Sequence, residues 1–190
     1  MNITLLLGSI RQGRRSDRPA HYLMERLSEI PEVQPVLLDL AQYPLPQLEN
    51  RWAQQASPDP NLVFFSRALT DADALIFISP EYHGSYTGVL KNAIDHFWKE
   101  FKRKPIGVVA VGAGRMGGIN ASVEMQHLIL SLGAYPCPVK MLVPFAKEAF
   151  DEQNQPAMPG IKEGADSFLN EFLWFSQALY AAHVGEKSHL

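Results

Sequence analysis

Five short apolar runs, at residues 3–7, 34–38, 75–79, 106–111 and 139–143, alternate along this chain with five stretches of helical apolar spacing. That alternation constrains the fold more than any other feature. A run such as Ala74-Leu-Ile-Phe-Ile-Ser79 has no polar face, so it suits a strand buried on both sides. The stretches 17–30, 61–70, 88–101, 118–132 and 161–182 predict helices that cover the two faces. Strand–helix–strand units of this kind cross over right-handedly into a parallel sheet. Five strands predict the order 2-1-3-4-5. Ligands of such sheets sit beyond the carboxyl ends of the strands, where the connections from strands 1 and 3 diverge.

The predicted class is therefore α/β, a doubly wound, flavodoxin-like, five-stranded parallel sheet, and 190 residues suffice for one domain spanning 1–190. With 46% hydrophobic and 19% charged residues the chain can fill a core, and disorder is not expected. A net charge of -3 gives no general attraction to nucleic acid or to an anionic membrane. No apolar run approaches about 18 residues, so no membrane span or leader is expected. Cys137 is the one cysteine and can form no internal disulfide, which makes a reducing, cytoplasmic setting the expectation. Two long connections, 41–60 and 146–160, are of the kind that is either functional or mobile.

Three strand-to-helix turns should meet at the ligand edge. The first, Gly8-Ser-Ile-Arg-Gln-Gly-Arg-Arg-Ser-Asp-Arg18, enters a helix with Ser16 or Asp17 as N-cap and Pro19 in the first turn. Free N–H groups and the macrodipole attract an anion there, and Arg11, Arg14, Arg15 and Arg18 add planar forks suited to phosphate. Gly8 and Gly13 have P-loop spacing. Arg14 and Arg15, however, stand where that motif needs Lys and Ser or Thr, so a nucleoside triphosphatase is rejected. The second turn holds Pro80, Glu81, Tyr82, His83 and Gly84. Tyr82 offers a ring face, and Gly84 lets the backbone approach a ligand. No second histidine stands at ligand spacing from His83, so no metal site is expected. The third turn, with Gly112, Gly114, Arg115 and Gly117, carries the GxGxxG of a dinucleotide site. It lies in the fourth strand–helix unit and lacks an acidic residue about 20 positions on, so that reading is declined. The glycines are read as room for a flat ring. A planar ring with a phosphate tail fits all three turns, and FMN has that shape.

Longer motifs add a resemblance. Gly8-Ser-Ile-Arg11, Asp39-Leu-Ala-Gln-Tyr-Pro-Leu-Pro46, and Pro80-Glu-Tyr-His83 followed by Leu90-Lys-Asn-Ala-Ile-Asp95 resemble signatures of the NAD(P)H-dependent FMN reductases, azobenzene and quinone reductases among them. The resemblance implies that Ser9, Arg11 and the turn through Arg14, Arg15 and Ser16 hold the FMN phosphate. It implies that Pro80, Glu81, Tyr82, His83 and Gly84 line the flavin, with Gly112, Gly114, Arg115 and Gly117 at its pyrimidine edge. It also implies a homodimer or homotetramer with the flavin near a subunit boundary. The chain departs from the family pattern at Arg14-Arg15, where many members have Ser and a small residue, and at Thr87, where many have Pro.

The expected activity is hydride transfer from NADPH or NADH to FMN, then reduction of a small acceptor by a ping-pong cycle. The acceptor would be a quinone, azo compound, free flavin or metal oxyanion. The cofactor supplies the chemistry, so no dedicated catalytic acid or base is required. The alternative is a flavodoxin-like electron carrier with protein partners, although such carriers are usually strongly acidic. In the stretch 88–101, Val89, Leu90, Ala93, Ile94, Phe97, Trp98 and Phe101 would cover about half a helix, where roughly 100° suffices to face the sheet. The excess predicts either a partner subunit or a wide contact within the chain.

Overall fold

Each apolar run becomes a strand and each helical stretch a helix in the computed structural model, which describes residues 1–187. The order is β1 (Asn2–Leu7), α1 (Asp17–Ser28), β2 (Gln34–Asp39), α2 (Pro60–Asp71), β3 (Ala74–Pro80), α3 (Gly88–Asp95), β4 (Pro105–Val111), α4 (Ile119–Ser131), β5 (Tyr135–Val143) and α5 (Ile161–Lys187). The sheet is parallel throughout and ordered β2-β1-β3-β4-β5, the flavodoxin-like arrangement expected. Alternate residues of each strand serve opposite faces. Leu5 and Ile76 join Leu23 and Leu27 of α1 and Phe168 and Phe172 of α5 in one apolar layer. Leu6 and Phe77 join Phe65 of α2, Leu90 of α3 and Ile129 of α4 in the other. Each such side chain, once buried, contributes about 1.5–3 kcal/mol. None of the described helices is long and apolar enough to cross a membrane.

Several boundaries differ from expectation, and two of them have a visible cause. β5 begins at Tyr135 and includes Pro136 and Pro138, which hid it from the apolar pattern. A proline cannot donate to a ladder, but β5 is an edge strand, and its register on β4 shifts between Ile106 and Val108. α3 stops at Asp95, short of residue 101. The Trp98 N–H leaves the helical ladder for Glu100 Oε2 at 2.9 Å. The Phe97 N–H makes a tighter bond to the Ile94 carbonyl at 3.0 Å. This break rotates Phe97 and Phe101 into the core and leaves Trp98 exposed beneath the Arg51 guanidinium, 4.7 Å from the ring centre. Of the seven apolar residues of this stretch, Leu90, Ala93, Ile94, Phe97 and Phe101 are buried within the chain, while Val89 is partly buried and Trp98 half exposed.

Candidate functional site

Beyond the carboxyl ends of β1, β3 and β4 lies a cavity of about 440 Å3, in the size range of small-molecule sites. Four connections line it. The β1–α1 turn supplies Ser9, Arg11, Gly13, Arg14, Arg15 and Ser16. The turn after β3 supplies Pro80, Glu81 and Tyr82; Val111 and Ala113 come from the end of β4; Ala146, Lys147 and Glu148 follow β5.

In the first turn, Ser16 holds the N-cap position of α1 but in helical geometry, with φ −75° and ψ −14°, and makes no capping bond. The expected cap is thus unused, and Asp17 accepts the adjacent Arg18 N–H at 3.1 Å. Among the described residues the Ser16 hydroxyl has no partner, and neither does that of Ser9, although both residues are 1% exposed. A buried polar group left unpaired costs about 1–3 kcal/mol, so two together point to something that binds them. Arg14 is not a free fork. Its Nη1 donates to Asp39 Oδ1 at 2.6 Å and to the Ser9 carbonyl, and its Nη2 donates to Asp39 Oδ2. The hydrogen bond to Asp39 raises its pKa beyond the ordinary arginine range. Arg18 is drawn off as well, donating to the Phe150 carbonyl.

The second turn divides. Pro80, Glu81 and Tyr82 face the cavity, while His83 and Gly84 form the tip and lie outside its lining. Both have positive φ, 52° and 80°, and Tyr82 and Ser85 exchange backbone bonds of 2.9 and 3.1 Å across them. That is a two-residue type I′ turn, whose left-handed φ values favour glycine at position 84. Glu81 has a second task. The N-cap of α4 is Gly118, which has no side chain to offer, and Glu81 Oε2 instead accepts the Asn120 and Ala121 N–H groups at 3.0 and 3.1 Å. Glu81→Ala should therefore destabilise the protein by about 1 kcal/mol, the usual cost of a lost cap. An unchanged urea midpoint would remove the capping role. Thr87 caps α3 by accepting the Leu90 N–H at 3.2 Å and donates its own hydroxyl to the Gly8 carbonyl.

Among the third turn's predicted residues, Gly112, Gly114, Arg115 and Gly117 all lie outside the cavity lining, and Val111 and Ala113 face it instead. At Gly112 the reason for glycine is packing, since a Cβ there would lie 2.5 Å from the Gly118 nitrogen. The same turn carries the chain after β5 to the cavity. The Ala146 N–H bonds the Gly112 carbonyl at 3.0 Å and the Phe145 N–H bonds that of Gly114 at 3.3 Å. Sequence reasoning did not name Ala113, Ala146, Lys147 or Glu148. The one signal for the last three was the length of the connection that begins at 146.

Comparison with known proteins agrees with this geometry. Residues 1–148 of the 190 match the model of the NADPH-dependent FMN reductases. An FMN-dependent NADPH-azoreductase of Staphylococcus saprophyticus is 35% identical over 129 residues, 66% of each chain. Its counterpart in Staphylococcus haemolyticus is 33% identical over 127 residues, 65% of each. The chain thus spans just under two thirds of these relatives' length. Among solved structures, FerB of Paracoccus denitrificans, a flavoenzyme NAD(P)H:(acceptor) oxidoreductase, superposes with a TM-score of 0.79 at 21% identity. That match covers 93% of this chain and 97% of FerB, and at such identity it speaks for the fold alone. By its family match over most of its length, the chain belongs to the NADPH-dependent FMN reductase family.

Proposed function

We propose that this chain binds FMN in the cavity and uses NADPH or NADH to reduce a small electron acceptor of the quinone, azo, flavin or metal-oxyanion class. One observation carries the reading. Two buried serine hydroxyls, Ser9 and Ser16, stand unpartnered in a turn that also brings Arg11 and Arg15 to the cavity. Hydroxyl donors beside cationic forks at a helix start fit a phosphate monoester. Pro80, Tyr82, Val111 and Ala113 offer the apolar and aromatic wall that a flat ring needs. The family's description and the azoreductase relatives support the same assignment.

FMN held there would supply the redox chemistry, hydride uptake from a nicotinamide and reduction of the acceptor. The chain's part is to hold the phosphate, to seat the ring against residues 80–82 and 111–113, and to keep water from that side. The opposite side would stay open to donor and acceptor. Donor and acceptor then use one opening in turn, and initial rates at several acceptor concentrations should give parallel reciprocal lines. Intersecting lines would require both substrates at once and would undo the single-opening arrangement. Steady NADPH consumption by the purified protein with a quinone or azo compound supports an enzyme. Uptake of FMN without such turnover would indicate an electron carrier, and indifference to added FMN would overturn the reading.

A further inference from the structure

We propose that Arg14, together with Asp39, is a positioning residue that acts on the bound phosphate through Ser9 and not by contact; this rests on the FMN reading above. Asp39 ends β2 and is 1% exposed, with Oδ1 also accepting the Ala41 N–H at 2.9 Å. Its carboxylate grips the Arg14 guanidinium through both oxygens, and Arg14 Nη1 in turn holds the Ser9 carbonyl. The result is a strut from the sheet to the phosphate turn. Thr87 holds the neighbouring Gly8 carbonyl in the same way.

The consequence is directional. No peptide bond among the described residues is cis, and a trans peptide sets its N–H opposite its carbonyl. Fixing the carbonyls of Gly8 and Ser9 therefore fixes the N–H groups of Ser9 and Ile10. Neither N–H has a partner among the described residues. It also fixes the backbone that carries the unpartnered Ser9 hydroxyl. The pair itself is close to neutral, so the positive field at the turn comes from Arg11 and Arg15, which hold no ion pair with any of the described residues. Arg14 thus orients the turn and Arg11 and Arg15 charge it.

Contact and positioning predict opposite signs for one substitution. Asp39→Asn removes a negative charge close to an anion site, which by Coulomb's law alone should strengthen FMN binding. As the loss of a strut it should weaken it. Calorimetry with FMN and riboflavin, on the wild-type chain and on Asp39→Asn, Arg14→Met, the double variant and Arg14→Lys, decides the matter. Each single variant is expected to lose about tenfold in FMN affinity with less than about twofold change for riboflavin. The double variant should lose no more than the weaker single, because one strut can be broken only once. Arg14→Lys keeps the charge without the bidentate fork and should lose about as much as Arg14→Met. Retention of FMN affinity by Arg14→Lys with loss by Arg14→Met, or tighter binding by Asp39→Asn, would overturn the strut and favour Arg14 as a direct ligand. Equal losses for FMN and riboflavin would reduce the pair to general support of the fold. If Asp39→Asn does not fold, Arg14→Lys decides alone. Wild-type protein that binds no FMN sinks the underlying reading, whereas wild-type binding with unaffected variants sinks this inference only.

Discussion

Ser9→Ala and Ser16→Ala are each expected to weaken FMN binding about tenfold while leaving the flavin-free protein as stable as before, or more stable. The two signs come from the same fact. Both hydroxyls are buried and unpartnered, so the folded chain bears a desolvation cost of about 1–3 kcal/mol at each without a compensating bond. Alanine removes that cost. It also removes a donor whose bond to a phosphate oxygen is charge-assisted and contributes about 1.5–3 kcal/mol. The double variant should then lose about a hundredfold for FMN, with little change for riboflavin, which has no phosphate. Wild-type protein should prefer FMN to riboflavin by at least about a hundredfold on the same reasoning. Calorimetry with both flavins, beside thermal melts without flavin, reads all of this. Parallel losses for both flavins, or a destabilised flavin-free protein, would show that the hydroxyls serve the fold and not a phosphate. Sites that lower stability for the sake of a ligand are common where function is concentrated.

The sheet was legible because its signal is local. The central strands β1, β3 and β4 are buried on both faces and read as apolar runs, and with the shorter runs of β2 and β5 and helical spacing between them few arrangements stay open. The place of the site was legible for the same reason, since the order 2-1-3-4-5 puts the turns after strands 1, 3 and 4 at one edge. Roles within the site were less legible, because they depend on bonds between distant residues. Arg14 reads as a phosphate fork until Asp39, 25 positions on, is seen to hold it. Glu81 reads as part of the ring wall, and its tie to α4 spans 39 residues. Thr87 is linked to Gly8 across 79 residues, which gives that departure from the family pattern a structural sense. Helix ends failed where side chains compete with the ladder. Glu100 draws off the Trp98 N–H and ends α3 early, and Ser16 occupies a cap position without capping.

The glycines of the β4–α4 turn resemble a nucleotide fingerprint, and substitution should separate packing from ligand contact. Gly112→Ala is expected to cost on the order of 3 kcal/mol, at the upper end of overpacking. Its Cβ would meet the Gly118 nitrogen at 2.5 Å and the Gly117 carbonyl carbon at 2.9 Å, both backbone atoms that cannot step aside as a flexible side chain could. Relief requires moving Gly118, where α4 begins, and so disturbing the helix start that Glu81 caps. For a chain of this size that loss corresponds to a melting temperature lower by about 6–12 °C. Gly114 is the control. Nothing lies within 4 Å of a Cβ built there, and its φ is not positive, so Gly114→Ala should stay within about 0.5 kcal/mol of wild type. Neither glycine lines the cavity, so Gly114→Ala should also bind FMN as wild type does. Thermal melts and FMN titrations of the two variants therefore test one statement. If Gly112→Ala melts as wild type while Gly114→Ala loses flavin, the motif contacts the ring after all. The expected pattern is the reverse, a glycine pair in which one position is held by backbone packing and the other is free.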